Sequence, residues 1–274
     1  MFITNILKGI RKKLTQSNSK PRFQSFSWIQ KRILKHQDDH SIKCFRFKDF
    51  KVFYKRPYEL IKTYEELFLD EIYRFQTNTE QPVIIDCGAN IGLSSLYFKT
   101  IYPNATLHAF EPDAALFDIL ERNAQVNDFI NTHLHQAAVW IEDTKLSFSS
   151  KGSEASHIDL SNQSEHQVKA IRLANFLAKF EHIDFLKMDI EGAEFQVVAD
   201  CLDGLKKVDN FFLEYHGKVH QTKQLQTLLQ QVESIGFNVY IKMAADQLIS
   251  PFYQKQTGTP YDVQLNIFCY KQIH

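Results

Sequence analysis

The run Asp86-Cys87-Gly88-Ala89-Asn90-Ile91-Gly92 sets a carboxylate, two glycines and an asparagine in one short stretch, at the end of the apolar segment VIIDC (83–87). Glycine lets a backbone turn tightly and approach a ligand with no Cβ between them. Asparagine tolerates left-handed geometry better than most residues. A turn of this kind between a strand and a helix suits a ligand at the carboxyl end of a sheet. Asp86, two residues before Gly88, suits a cationic group such as an ammonium better than a pyrophosphate resting on a helix N-terminus. The full GxGxxG spacing is absent, because Ala89-Asn90 occupies the place of a middle glycine.

Two further groups of residues could do chemistry. Glu111, in Phe110-Glu111-Pro112, follows the loop at the distance from which an acidic residue accepts hydrogen bonds from both hydroxyls of a ribose. Capping the next helix, near Asp113, is the other reading of Glu111. Downstream, Phe185-Leu186-Lys187-Met188-Asp189-Ile190-Glu191-Gly192-Ala193-Glu194 gathers three acids, and Glu214-Tyr215-His216 adds another carboxylate and an imidazole. Asp189, Glu191, Glu214 and His216 around one crevice could deprotonate a hydroxyl. The base is His216 or Asp189, and His216 could instead only orient Glu214. Asp189, Glu191 and Glu214 could also supply oxygen ligands to a divalent metal. No metal ligand is assigned from the sequence.

These residues need elements to position them. From residue 83 strand-like and helix-like segments alternate: VIIDC, then a helix beginning LSSLYFKTIY, TLHAF (106–110), a helix over 113–127 and THLHQAAV (132–139). WIEDTKLSFSS (140–150) reads as a hairpin or extended excursion, 151–167 as a polar loop and 173–180 as a helix. IDFLKMDI (183–190), a helix over 193–202, VDNFFLEYH (208–216) and a helix over 222–235 follow. GFNVYIK (236–242) and VQLNIFCYK (263–271) close the chain as two strands with no long helix between them. The pattern predicts an α/β fold with a doubly wound, mostly parallel seven-stranded sheet and an antiparallel C-terminal edge. Upstream, residues 2–14 read as a basic amphipathic helix and 15–25 as a linker. The alternation Cys44, Phe45, Phe47 and Phe50, Val52, Tyr54 predicts a hairpin, and 63–76 a helix. The expected organisation is a basic N-terminal extension, 1–62, and a main domain, 63–274.

With 44% hydrophobic and 23% charged residues the chain has the make-up of a globular protein. Net charge is zero, yet residues 1–62 carry sixteen Lys/Arg against four Asp/Glu, leaving the rest acidic. A basic segment favours polyanions or its own acidic domain. Residues 1–14 could make peripheral contact with a membrane surface. The acidic main domain counts against a nucleic-acid partner. Cys44, Cys87, Cys201 and Cys269 form no CxxC pair, which fits reduced thiols, and no apolar run is long enough to span a bilayer. The expected location is cytoplasmic, with the inner membrane face as a peripheral site. Oligomeric state is not legible.

In the order DCGANIG, FEP, LKMDIEGAE and LEYH, over roughly residues 80–220, the sequence resembles the FkbM family of methyltransferases. The resemblance implies a class I methyltransferase fold, S-adenosyl-L-methionine as methyl donor, and a hydroxyl on a sugar, glycan or other small natural product as acceptor. It implies that Asp86, Gly88, Ala89, Asn90 and Gly92 hold the methionine part. Glu111 and Pro112 would lie at the ribose, and Ala137 and Ala138 near the adenine. Asp189, Glu191, Glu214 and His216 would surround the reaction centre. Two rivals share the sheet: an NAD-dependent oxidoreductase, against which Asp86 argues, and a non-catalytic scaffold on a degenerate methyltransferase fold, against which the intact loop and acidic cluster argue.

Overall fold

The computed structural model describes residues 22–149, 157–158, 167–245, 250, 252–253 and 260–271. The expected helix over 2–14 lies outside them, as does most of the polar loop. Two compact units are formed, one from residues 22–41 and 56–72, the other from 42–55 and the described residues from Tyr73 onward.

In the first unit, helix α1 (Trp28–Lys35) starts at a capping box in which Ser27 and Gln30 each accept the other's backbone N–H. This helix lies in a stretch whose aromatic and basic residues gave it no clear period. Helix α2 (Pro57–Tyr64) continues as a π-turn over Glu65–Leu69, so the helix expected over 63–76 begins earlier and ends earlier. Pro57 explains the start, since its fixed φ and missing N–H suit a first helical position. Tyr64 stacks on Phe68 with ring centroids 4.7 Å apart, and its hydroxyl donates to the Gln24 carbonyl.

In the second unit the expected hairpin forms as β1 (Lys43–Arg46) and antiparallel β2 (Lys51–Tyr54). Then come β3 (Val83–Cys87), α3 (Leu93–Ile101), β4 (Thr106–Phe110), α4 (Ala114–Val126) and β5 (Thr132–His135). The expected third strand divides after β5. Ala137 N bonds back to His135 O, and the chain leaves the main sheet as β6 (Ala138–Trp140). With β7 (Thr144–Ser149), β8 (His157–Ile158) and β9 (Gln167–Arg172), β6 builds a second, four-stranded sheet in which β7 runs antiparallel to β9. The remaining elements are α5 (Leu173–Leu177), β10 (Ile183–Met188), α6 (Glu194–Asp200), α7 (Leu202–Leu205), β11 (Val208–Gly217), α8 (Thr222–Ser234), β12 (Asn238–Ala245) and β13 (Val263–Tyr270).

The main sheet has seven strands in the order β12-β13-β11-β10-β3-β4-β5, as expected for a doubly wound fold. All neighbours pair in parallel except β13, which is antiparallel to both β11 and β12. The antiparallel strand is therefore one in from the edge. β10 is buried along its whole length, as a central strand covered on both faces must be. The chain runs from β3 outward through β4 to β5, then returns to β10 on the other side. That reversal opens a crevice at the carboxyl ends of β3 and β10.

Two asparagines of α4 dock the hairpin. Asn123 Oδ1 accepts from Phe53 N, and its Nδ2 donates to Phe53 O and Ile91 O. Asn127 brackets Lys51 in the same way through its N and O. Each amide side chain thus stands in for a neighbouring strand, satisfying backbone groups on β2.

Candidate active site

The loop after β3 bends through three residues in the left-handed region: Gly88 (φ 80°), Asn90 (φ 50°) and Gly92 (φ 87°). Gly88 N and Ala89 N both donate to Phe110 O at the end of β4. A Cβ on Gly88 would lie 1.8 Å from the Asp189 carbonyl oxygen, and one on Gly92 would lie 2.5 Å from Leu120 Cδ1. The two glycines answer different needs, close approach to the end of β10 for the first and packing on α4 for the second.

Asp86 is wholly buried beneath this loop. Its Oδ2 accepts from Ser94 Oγ at 2.6 Å and Ser95 Oγ at 2.8 Å, the first turn of α3. Its Oδ1 faces Lys187 Nζ at 3.7 Å. Lys187, 3% exposed, also donates to the Gly88 carbonyl and lies 3.3 Å from Asp189 Oδ2. Burial alone would lower the pKa of this ammonium, but Asp189 and Asp86 together hold it above the ordinary value. One buried cation thus ties together the loop, the carboxylate beneath it and the carboxylate beyond β10.

Glu111 sits at the end of β4 with both oxygens engaged. Oε2 accepts from Asn90 N at 2.8 Å and Oε1 from Asp113 N at 2.9 Å. Burial pushes its carboxyl up to about 7, against those two backbone N–H groups, which favour the charged form. Asp113 itself caps α4 by accepting from Ala115 N and Leu116 N, so Glu111 is not the cap. Pro112 is half-buried beside it. Ala137 and Ala138 are buried beyond the end of β5, joined to this corner through the bond from Glu111 N to His135 O.

After β10 the chain turns through Glu191 (φ 57°) and Gly192 (φ 99°). Two groups clamp this strained turn. Glu194, 1% exposed, accepts from Gly192 N at 3.0 Å and Ile190 N at 3.3 Å. Tyr261 Oη donates to Glu191 O at 2.5 Å and fills the space where a Cβ on Gly192 would sit. Glu194 also faces His216 Nδ1 at 3.0 Å. The other ring nitrogen, Nε2, faces Glu191 Oε2 and Glu214 Oε1, each at 3.7 Å. Burial opposes charge on this ring, but Glu194 first, then Glu191 and Asp189, raise its pKa to about 10. Burial among neighbouring acids pushes Glu191 up to about 9, in spite of His216.

The structure therefore brings Asp189, Glu191, Glu214 and His216 together at adjacent strand ends. It adds three residues not singled out as site members in the sequence. Lys187 carried a signal, a lysine near the end of a wholly buried strand whose one other charged residue is Asp184. Glu194 stood in the acidic run without a distinguishing mark, and Tyr261 lies in a segment with no periodicity at all.

Residues 86–239, from the first residue of the loop to β12, match the family described as the methyltransferase FkbM domain. The chain belongs to the FkbM methyltransferase family. Curated relatives agree. Methyltransferase sdnD of Sordaria araneosa is 32% identical over 217 residues, covering 64% of this chain and 81% of that protein. Methyltransferase 1 of Beauveria bassiana is 28% identical over 205 residues, covering 65% and 81%. The 2-O-methyltransferase NoeI of Sinorhizobium fredii is 29% identical over 155 residues, covering 49% and 63%. The sheet order, with its single antiparallel strand next to the edge, is that of a class I methyltransferase fold. The FkbM domain of this chain is a methyltransferase, and the paired loop and acidic cluster lie within it. Among the described residues, no helix is long and apolar enough to cross a membrane.

Proposed function

We propose that this protein transfers a methyl group from S-adenosyl-L-methionine to a hydroxyl oxygen of a sugar, glycan or other small natural product. The observation that carries the reading is the juxtaposition of the left-handed loop, Glu111 and the acidic cluster around one crevice. The loop fits the cofactor. It turns through the left-handed region at Gly88, Asn90 and Gly92, Glu111 at its edge offers a carboxylate to a ribose, and Ala137 and Ala138 put small side chains near that corner. Asp86, being wholly buried, acts by fixing the loop through Ser94, Ser95 and Lys187. Bound there, the cofactor supplies an electrophilic methyl group carried on a sulfonium.

The acceptor side is the work of this chain's own residues. Nδ1 of His216 is engaged by Glu194, which sets the ring so that Nε2 faces Glu191 and Glu214. The acceptor's proton then passes to a carboxylate of the cluster. NoeI, a 2-O-methyltransferase, methylates an oxygen, which supports the choice of a hydroxyl acceptor.

Calorimetric titration with S-adenosylhomocysteine and NAD tests the cofactor. Binding of S-adenosylhomocysteine and not of NAD is the expected result. Binding of NAD alone would turn the reading to the oxidoreductase.

A further inference from the structure

We infer that Asp189, Glu214 and His216 form a site for a divalent first-row transition-metal ion that holds the acceptor oxygen, an inference that rests on the methyl-transfer reading above. Among the described residues this trio alone offers one ligand atom from each of three such side chains, all within 4.8 Å of one another.

The spacing decides between two uses of the cluster. His216 Nε2 stands 3.7 Å from Glu191 and from Glu214, too far for a hydrogen bond to either. Two atoms each about 2.1 Å from one ion lie about 3 Å apart at a right angle and about 4.2 Å apart across it. The observed gap falls inside that window. All three ligand atoms lie within 4.8 Å of one another, a spread that flexible carboxylates can close around an ion.

The second observation concerns the ring itself. The His216 side chain is 1% exposed, and its Nδ1 is engaged by the equally buried Glu194. A carboxylate on the far nitrogen is what a metal-ligating histidine ordinarily has, because it fixes the tautomer and the ring plane. Nε2 is left aimed into the crevice. Glu194 in turn is anchored by Gly192 N and Ile190 N, so the ring's orientation is set by the backbone of the β10–α6 turn.

Charge points the same way. Four carboxylates, Asp189, Glu191, Glu194 and Glu214, meet here, with Lys187 and His216 among the groups that face them. Two oxygens and one imidazole suit Mn2+ or Zn2+ better than the all-oxygen shells of Ca2+. Three protein ligands leave open positions, the mark of a catalytic rather than structural site. In this arrangement the ion displaces the proton on His216 Nε2, binds the acceptor hydroxyl and favours its alkoxide, Asp189 is a ligand, and the hydroxyl proton leaves to water.

The test uses full-length protein dialysed against a chelator and titrated with Mn2+ alone, free Mn2+ being read by electron paramagnetic resonance. One Mn2+ per chain is expected, with affinity reduced at least tenfold in Glu214→Gln and in His216→Gln, and about 10–100-fold in Glu194→Gln. On wild-type protein, which needs no variant to fold, Mn2+ should broaden the His216 and Tyr261 ring resonances first. No bound Mn2+, unchanged affinity in the variants, or broadening centred elsewhere would overturn the proposal. Titrating S-adenosylhomocysteine into the same samples separates the two readings. Its binding without Mn2+ leaves methyl transfer standing and the ion site refuted, whereas Mn2+ bound without it refutes the cofactor reading and keeps the ion site.

Discussion

The carbonyl oxygen of Asp189 occupies the space that any side chain on Gly88 would need. The loop after β3 and the end of β10 are in backbone contact there, reinforced by the bond from Asp189 N to Cys87 O. Gly88→Ala must therefore push the two strand ends apart as well as strain a left-handed residue. The strain alone costs on the order of 1–3 kcal/mol. Loss of S-adenosylhomocysteine binding in calorimetry is expected, with a lowered urea midpoint. Wild-type binding by this variant would show that the loop does not hold the cofactor.

Lys187 is surrounded by Asp86, Asp189 and the Gly88 carbonyl, with almost no access to water. Lys187→Met leaves a buried carboxylate uncompensated. Breaking a buried pair in this way costs about 3–5 kcal/mol. Urea denaturation at neutral pH measures it, and adding Asp86→Asn to the Lys187→Met variant is expected to restore part of the loss.

Glu111 gives a pH dependence whose sign follows from its raised pKa. A carboxyl with a folded pKa of about 7 holds its proton more tightly in the folded chain than in the unfolded one. Its contribution to stability is therefore present at low pH and falls as pH rises from the ordinary carboxylate range through about 7. A ligand that hydrogen-bonds through its hydroxyls prefers the ionised form, so its affinity runs the other way. S-adenosylhomocysteine should bind more tightly at pH 8 than at pH 6, and Glu111→Gln should flatten that profile.

Asp189→Asn keeps the size of the side chain and removes its charge. Turnover is expected to fall by about 10²–10⁴, the usual worth of a positioned proton-transfer or charge-stabilising group. Affinity for S-adenosylhomocysteine should stay close to that of wild type. Single-turnover kinetics and calorimetry on the same preparation check the two halves, and an unchanged rate would remove Asp189 from the reaction.

Asn123 joins β2 to the loop, since one amide nitrogen serves both Phe53 O and Ile91 O. Asn123→Ala orphans these groups at a cost of about 1–3 kcal/mol. Faster hydrogen exchange at the Phe53 amide is expected before any change at β10.

Much of this arrangement was legible in the sequence because it depends on residue type. A glycine that must take φ 80° against a carbonyl is a glycine in any reading, and β10 read as a strand despite Asp184 and Lys187 within it. The hairpin showed through its alternation. What stayed hidden depends on distance. Glu194 looks like its neighbours Asp189 and Glu191, and only the fold turns it inward beneath the turn to meet His216. The division of the third strand hinges on the single backbone bond from Ala137 to His135, which no side-chain pattern announces. Asn123 and Asn127 read as ordinary polar positions on a helix, because their partners lie far away in the chain.

The placement of β13 reaches further than the sheet. Among the described residues β12 pairs with β13 alone, and the residues just before β13 tie it to the crevice, Asp262 N through Gly217 O and Tyr261 through the Glu191 carbonyl. Fraying of this margin would lift Tyr261 away from the Glu191–Gly192 turn while the parallel strands stayed paired. Local opening there is expected to disarm the crevice at a lower free energy than global unfolding. The protein's activity should therefore fade on warming before its helical signal does.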